Sequence, residues 1–413
     1  MWRLSATFGL MAIVAACGSE SVADLESAAV PTPVAVAAGP GSAEPYLSSH
    51  GDSVLLSWLE PRGDDHVLRY GWITERGAAS GGEVVARSDL FVNWADMPAV
   101  VASSDGQLFA HYLQRGGEGT YDYAIRVTSQ TGQGWQEPGT IHDDGTPTEH
   151  GFASWAADPE KGMGLLWLDG RQYVEGPHGA ATDEMTLRWR WWHPDGSFGD
   201  ETLLDARVCD CCQTGLAATE SGWVAVYRDR SPGEVRDIHA AVLDREGWTL
   251  SGAVHADGWV IEGCPVNGPA IDARGDTVAV AWFTAANDRP TVQLAFSLDG
   301  GRSFEAPATI DLGRPVGRVD VVARAGATAL VSWIEQEESG AGVWMREVSR
   351  RGPDDLSVAA PLRLVPLSAA RQSGFPRLVA APWGGLILAW TEVGDTQTQL
   401  RVAHLDLPDA AAP

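Results

Sequence analysis

From about residue 46 onward the chain runs in short segments where apolar and polar positions alternate, broken by turns rich in Gly and Asp. A period of two, with many β-branched and aromatic residues, predicts half-buried strands, and no stretch carries a sustained helical period. The segments come in pairs. The second of each pair ends in an aromatic and then a polar residue, at Ser57-Trp58-Leu59-Glu60, His111-Tyr112-Leu113-Gln114, Leu166-Trp167-Leu168-Asp169 and Val226-Tyr227-Arg228-Asp229. The series continues at Ala281-Trp282-Phe283-Thr284, Ser332-Trp333-Ile334-Glu335 and Ala389-Trp390-Thr391-Glu392. A unit recurring roughly every 50 residues falls in the range of propeller blades. The expectation is an all-β chain folded as one β-propeller of four-stranded antiparallel sheets, with seven blades and six as the alternative. Pro33 to Ala38 is expected to supply the outer strand of the last blade, whose own sequence stops after Leu405. Closing the ring in this way leaves no free edge between first and last blades.

The fifth unit carries the most specific local motif, Ser297-Leu298-Asp299-Gly300-Gly301-Arg302-Ser303-Phe304. Its aspartate can accept hydrogen bonds from the N–H groups of its own turn, its glycines tolerate positive φ, and its aromatic can pack between blades. Weaker versions stand at Ser129 to Trp135, at Asp195-Gly196-Ser197-Phe198 and at Asp244 to Trp248. On these residues the chain resembles the sialidase (neuraminidase) superfamily with BNR, or Asp-box, repeats, of the exported lipoprotein type. The resemblance implies a propeller over nearly all of residues 46–407. It also implies a site for an acidic sugar, with an exo-sialidase-like glycoside hydrolase as the form any enzyme activity would take. The chain lacks the Phe/Tyr-Arg-Ile-Pro stretch near the first blade, so the family's three-arginine cluster does not transfer residue by residue.

The N-terminus adds a targeting reading. Met1-Trp2-Arg3 and the apolar run from Leu4 to Ala16 predict a signal peptide over 1–16, too short to stay as a membrane span. The run ends at Val14-Ala15-Ala16-Cys17, which looks like a lipobox; the alternative is an ordinary signal peptide with an incidental cysteine. With Cys17 lipidated, residues 17–45 read as a flexible tether and 408–413 as a tail. The chain is then expected to be exported and lipid-anchored to the cell envelope, at the outer membrane of a Gram-negative bacterium, touching membrane only through its lipid. Hydrophobic residues make up 44% of the chain, enough for a large core in a monomer. A net charge of −26, with Lys161 the only lysine, argues against nucleic acid as a partner.

In a propeller, the loops entering the inner strands and those leaving the second strands open on one face. The unusual residues gather there. Before inner strands stand Asn93-Trp94-Ala95-Asp96, Thr148-Glu149-His150-Gly151, Cys209-Asp210-Cys211-Cys212, Cys264-Pro265-Val266-Asn267 and Gly317-Arg318-Val319-Asp320. After second strands stand Asp169-Gly170-Arg171, Arg228-Asp229-Arg230 and Asn287-Asp288-Arg289, with Arg236-Asp237 slightly beyond. Arginine binds carboxylates in bidentate fashion, so Arg171, Arg228, Arg230, Arg236 and Arg318 are candidate contacts for a glycan or small acidic ligand. Asp169, Asp229, Asp320, His150 and Asn267 stand beside them. These pairs can equally neutralise one another and tie blades together. Glycoside hydrolysis needs two acids, or a tyrosine backed by a glutamate; Asp96 is the acid/base candidate and Glu149 with Tyr227 or Tyr173 the nucleophile candidate. Trp94, Trp155, Trp189, Trp191 and Trp192 either stack on sugars or fill the contacts between blades.

Four cysteines remain besides Cys17: Cys209, Cys211, Cys212 and Cys264. Outside the cytoplasm two disulfides are the default, although a bond between neighbours Cys211 and Cys212 would be strained. The same residues could hold Cu or Zn through thiolates; no cofactor is otherwise required. Three functions stay open: a glycan-binding or glycan-hydrolysing propeller, a non-catalytic protein-interaction propeller, and a metal- or redox-linked protein built on the cysteines.

Overall fold

The structure is a computed structural model that describes residues 30–175 and 180–407. The signal peptide, Cys17 and the tail 408–413 lie outside the described residues. Seven antiparallel sheets follow one another along the chain as seven propeller blades, so the six-bladed alternative is set aside. Blade 1 comprises Ala43–His50, Ser53–Arg62, Asp65–Thr74 and Gly77–Arg87, from inner to outer strand. Blade 2 has Ala99–Ala102, Leu108–Arg115 and Tyr123–Thr131, its outer position shared by Gly134–Trp135 and Gly139–Thr140. Blade 3 has His150–Asp158, Gly162–Asp169, Met185–Trp192 and Thr202–Val208. Blade 4 has Gly215–Thr219, Gly222–Arg228, Ile238–Asp244 and Gly247–Ala253. Blade 5 has Ala270–Arg274, Thr277–Thr284, Thr291–Ser297 and Ala308–Thr309. Blade 6 has Pro315–Arg324, Thr328–Glu337 and Gly340–Gly352, with Asp355–Val358 and Leu362–Leu367 both on its outer side.

Blade 7 closes the ring. Arg377–Ala380, Leu386–Val393 and Thr398–Leu405 are joined by Thr32–Pro33 from the other end of the chain. Thr32 pairs with His404 and Pro33 with Ala403, and the Val34 N–H donates to Val402 O at 2.9 Å. The described part of the segment read as a tether is therefore built into blades 7 and 1, whose first strand starts at Ala43. Among the described residues no helix is long and apolar enough to cross a membrane.

The recurring aromatic-x-acid ending has a physical cause. Trp167 and Trp333 are fully buried between blades, and Trp58 is nearly so. A buried indole N–H needs an acceptor, and each finds one two residues on: Trp58 donates to Glu60 (3.0 Å), Trp167 to Asp169 (2.9 Å) and Trp333 to Glu335 (2.6 Å). In blade 5, where Thr284 occupies the acid's place, Trp282 donates instead to Asp257 at 2.7 Å. The turn after Phe296 behaves as its sequence requires. Asp299 accepts from Arg302 N at 3.0 Å, Ser303 N at 2.9 Å and Ser303 Oγ at 2.6 Å, while Gly300 and Gly301 take φ of 68° and 83°. Phe304 packs on the seam between blades 4 and 5 with Val224 and Val278.

Candidate functional site

The inner strands surround a central channel of about 460 Å³. Side chains from one inner strand latch the next. Asp96 accepts from Phe152 N (2.8 Å), Asp272 from Ala323 N (2.8 Å) and Asp320 from Leu378 N (2.7 Å). Burial raises all three carboxyls, Asp272 to about 6 and Asp96 to about 7. Asp320 is thus an inter-blade latch, not the partner of Arg318.

Above the channel Asp96 belongs to a second arrangement. The Tyr123 hydroxyl lies 2.9 Å from Asp96 Oδ2 and 2.8 Å from Glu149 Oε1. One hydroxyl carries one proton and can donate to only one carboxylate. The other carboxyl must then hold a proton of its own and donate to the tyrosine oxygen. Burial pushes Glu149 up to about 8, with the charges of Asp96 and Asp210 adding to it. Glu149 is partly exposed, whereas Asp96 and Tyr123 are each 1% exposed. The result is a proton-holding chain with one end open to the funnel. Tyr123 takes the place foreseen for Tyr227, which instead donates to Asp205 at 2.8 Å, away from Glu149. Tyr173 lies closer, its hydroxyl 3.5 Å from Asp210 Oδ2.

Most of the candidate arginines are already occupied. Arg171 forms a bidentate pair with Asp169 (2.7 and 2.6 Å) and meets Glu201 at 2.9 Å. Beside them Asp144 lies 2.9 Å from His142 and 3.2 Å from His150, the two imidazoles stacked at 3.7 Å. This is a buried ion-pair network within blade 3. Arg228 donates to the carbonyls of Arg236 (2.6 Å), Asn267 (2.7 Å) and Phe283 (2.8 Å) and lies 4.9 Å from the Trp259 ring centroid, which ties blade 4 to blade 5. Asn267 in turn accepts from Arg318 N at 2.7 Å. Arg230 pairs with Glu234 and Asp183, and Arg236 with Glu234 and Asp210. Asp229 accepts from Ser231 Oγ and faces His239. In the structure these residues are paired with one another or with backbone carbonyls, as the inter-blade reading also allowed.

Arg318 differs. Among the described residues its guanidinium meets no carboxylate, donating to Ala370 O (3.0 Å) and Gly374 O (3.1 Å). It lies 4.7 Å from the Trp94 ring centroid, and Trp94 stacks on Phe375 at 5.9 Å. Burial and the neighbouring charge of Arg371 lower its pKa to about 10. Arg371 is exposed and makes no ion pair among the described residues. Arg318 thus stands against the Trp94–Phe375 stack without an anion, with the exposed Arg371 following Ala370, whose carbonyl Arg318 binds. Arg371 and Phe375 escaped the sequence reading because it stopped at the loop entering blade 6; the same reasoning on the loop entering blade 7 would have reached them. Tyr123 carried no motif, and only the fold sets it between the two acids.

The cysteines form a third group. Cys209 and Cys212 are buried, Cys211 is half-buried and Cys264 exposed, and no two sulfurs are bonded. Cys209 Sγ lies 3.5 Å from Cys212 Sγ and 3.9 Å from Cys211 Sγ. The two disulfides taken as the default are thus absent from the structure. Contacts with the Cys211 and Cys212 sulfurs, with Arg228 and Arg236 nearby, hold the Cys209 thiol well below its ordinary value.

No known sequence family matches the chain, and no curated protein does. Solved structures do. The polysaccharide lyase Uly1 has 11% identity over 94% of this chain and 96% of its own, with a TM-score of 0.51. The α-L-arabinofuranosidase Arb93A from Fusarium graminearum, in complex with an iminosugar inhibitor, has 13% identity, coverage of 92% and 97%, and a TM-score of 0.48. The phage phi92 endosialidase has 9% identity, coverage of 94% and 70%, and a TM-score of 0.46. What the chain shares with the lyase at this identity is the propeller fold.

Proposed function

We propose that the chain binds an acidic saccharide in the funnel above the channel and that Glu149 serves there as a proton donor. The observation that carries this reading is Arg318, which meets no carboxylate among the described residues and lies against the Trp94–Phe375 stack, with the exposed Arg371 nearby in the chain. A cation without an anion is completed by a ligand carboxylate, and aromatic faces suit the apolar face of a sugar ring. Glu149, held protonated near neutral pH, can give its proton to a leaving glycosidic oxygen while water adds to the anomeric carbon and returns a proton to the Glu149 carboxylate. Between the two transfers the charge is shared through Tyr123 with Asp96. A fold held in common with a polysaccharide lyase supports choosing a saccharide as the first probe. Export and lipid anchoring through Cys17 belong to the same reading, since an anchored propeller would meet saccharides at the cell envelope.

The test is calorimetric titration with an oligogalacturonate, with sialyllactose and with neutral cello-oligosaccharides, alongside product analysis. Acidic ligands should bind and neutral ones should not. Arg371→Ala should weaken binding roughly 10- to 100-fold, as expected for a charge-assisted hydrogen bond of about 1.5–3 kcal/mol. Glu149→Gln should abolish turnover while leaving binding intact. Equal affinity for neutral and acidic chains, or an Arg371→Ala variant that binds like the parent, would refute the proposal. Binding of a protein partner across this face, with no saccharide bound, would favour the interaction-propeller alternative.

A further inference from the structure

We infer that Cys209, Cys211, Cys212 and Cys264 form a thiolate site for a thiophilic d10 metal ion, Zn(II) or Cu(I). Two loops from adjacent blades build it. The Cys209–Cys212 segment precedes the inner strand of blade 4, and Cys264 precedes that of blade 5. The first segment is anchored by the Cys209 N–H, which donates to Arg228 O at 3.0 Å. Arg228 is itself fixed by three carbonyls, so the folded backbone sets the sulfur positions.

The spacing of the Cys209, Cys211 and Cys212 sulfurs is that of ligands, and Cys264 stands within reach of Cys211 as the fourth. A metal–sulfur distance of about 2.3 Å places tetrahedral ligands about 3.8 Å apart. Cys209 Sγ stands 3.5 and 3.9 Å from its two neighbours, equidistant within a few tenths of an ångström and bonded to neither. The ligand atoms of Cys209, Cys211 and Cys212 all lie within 4.8 Å of one another, and so do those of Asp210, Cys211 and Cys264. Cys211 therefore belongs to both groups and joins the exposed Cys264 to the buried pair.

Charge and connectivity agree with this. Three or four thiolates around a d10 ion leave a net negative charge, and Arg236 Nη1 stands 3.3 Å from Cys209 Sγ to offset it. Arg236 Nε is buried beside them without a hydrogen-bond partner. Any disulfides here would have to join Cys209 to Cys212 and Cys211 to Cys264. Adjacent Cys211 and Cys212 cannot bridge without strain. Binding the ion displaces the thiol protons to solvent, so the step requires only the metal and water. The soft thiolate set favours Zn(II) and Cu(I) over the hard cations Mg(II) and Ca(II).

The experiment uses the full chain, reduced and stripped by chelator, titrated anaerobically with Zn(II) and separately with Cu(I) held by a weak competing ligand. Native mass spectrometry should show one ion per chain for at least one metal, and X-ray absorption should show a shell of sulfur alone. Cys264→Ser changes an exposed residue and Cys211→Ser a half-buried one, so both variants should fold. Each should lower affinity by more than the roughly 10- to 100-fold that losing an outer-shell partner costs. A nitrogen or oxygen shell, substoichiometric loading with both metals, affinity unchanged in both variants, or full oxidation of the four thiols in natively exported protein would overturn the inference. Because metal is read without saccharide, failure here leaves the saccharide proposal standing, and failure of that proposal leaves this one.

Discussion

Asp96 gives the sharpest test of the funnel's electrostatics. Its ordinary value is 3.8; burial raises it to about 7 in the fold, against the hydrogen bonds from Phe152 N and Tyr123 that favour its anion. Below the unfolded value both states hold the proton, and burial of the neutral acid carries no charge penalty. As pH rises from there toward 7 the unfolded chain loses its proton while the folded one keeps it. Stability then falls by about 1.4 kcal/mol per pH unit, and the loss levels off above the folded value at about 4 kcal/mol. Asp96→Asn imitates the protonated acid. Its amide oxygen can still accept from Phe152 N, and its NH₂ can donate to the Tyr123 oxygen while Tyr123 donates to Glu149. The variant should therefore match the parent near pH 4 and exceed it progressively up to pH 8. The groups facing Asp96 are Glu44 from blade 1, Tyr123 from blade 2 and Glu149 from the entry to blade 3. Glu44 and Glu149 are raised in part by the charge of Asp96, so the difference between the two curves reports Asp96 together with its coupling to these two acids. Urea unfolding of parent and variant at half-unit steps from pH 4.5 to 8.5 measures it. Parallel curves, or a variant that loses ground as pH rises, would refute the argument.

Arg228→Met should show that this arginine is structural. It strands three buried carbonyl oxygens, at a cost of roughly 3–6 kcal/mol. For a chain of this size that corresponds to a fall in melting temperature of about 4–8 °C by calorimetry; an unchanged melting temperature with weakened saccharide binding would restore the ligand-contact reading. Asp299→Ala removes the acceptor for two turn N–H groups and two serine hydroxyls on the Asp299 turn. A loss of about 1–2 kcal/mol in chemical denaturation is expected, with affinity at the funnel unaltered.

The seven-fold repeat was legible because its signals are local. An alternating strand, a glycine turn and an indole needing an acceptor two residues on each lie within about ten residues of chain. Trp58, Trp167 and Trp333 therefore announced their blades before any packing was known. The contribution of residues near 33 to the last blade could also be anticipated, since a propeller with a missing outer strand exposes an edge.

Side-chain partners were another matter. Asp320 stands two residues from Arg318, yet it bonds the next inner strand while Arg318 turns to Trp94 and two carbonyls. A bulge with Arg318 at φ 54° separates their directions, and nothing in the local sequence encodes that rotation. Tyr123 meets Asp96 and Glu149 because three separate segments converge above the channel. Cys264 meets Cys211 because adjacent blades bring their entry loops to one rim. Sequence alone determined the all-β repeat, the closing strand and the face on which the polar residues gather, since each follows from short-range periodicity and ring closure. Which acid shares a proton with which tyrosine, which arginine is left without an anion, and which sulfurs come within reach were decided only by tertiary packing, because those contacts join residues from different strands and blades whose relative orientation no local pattern records.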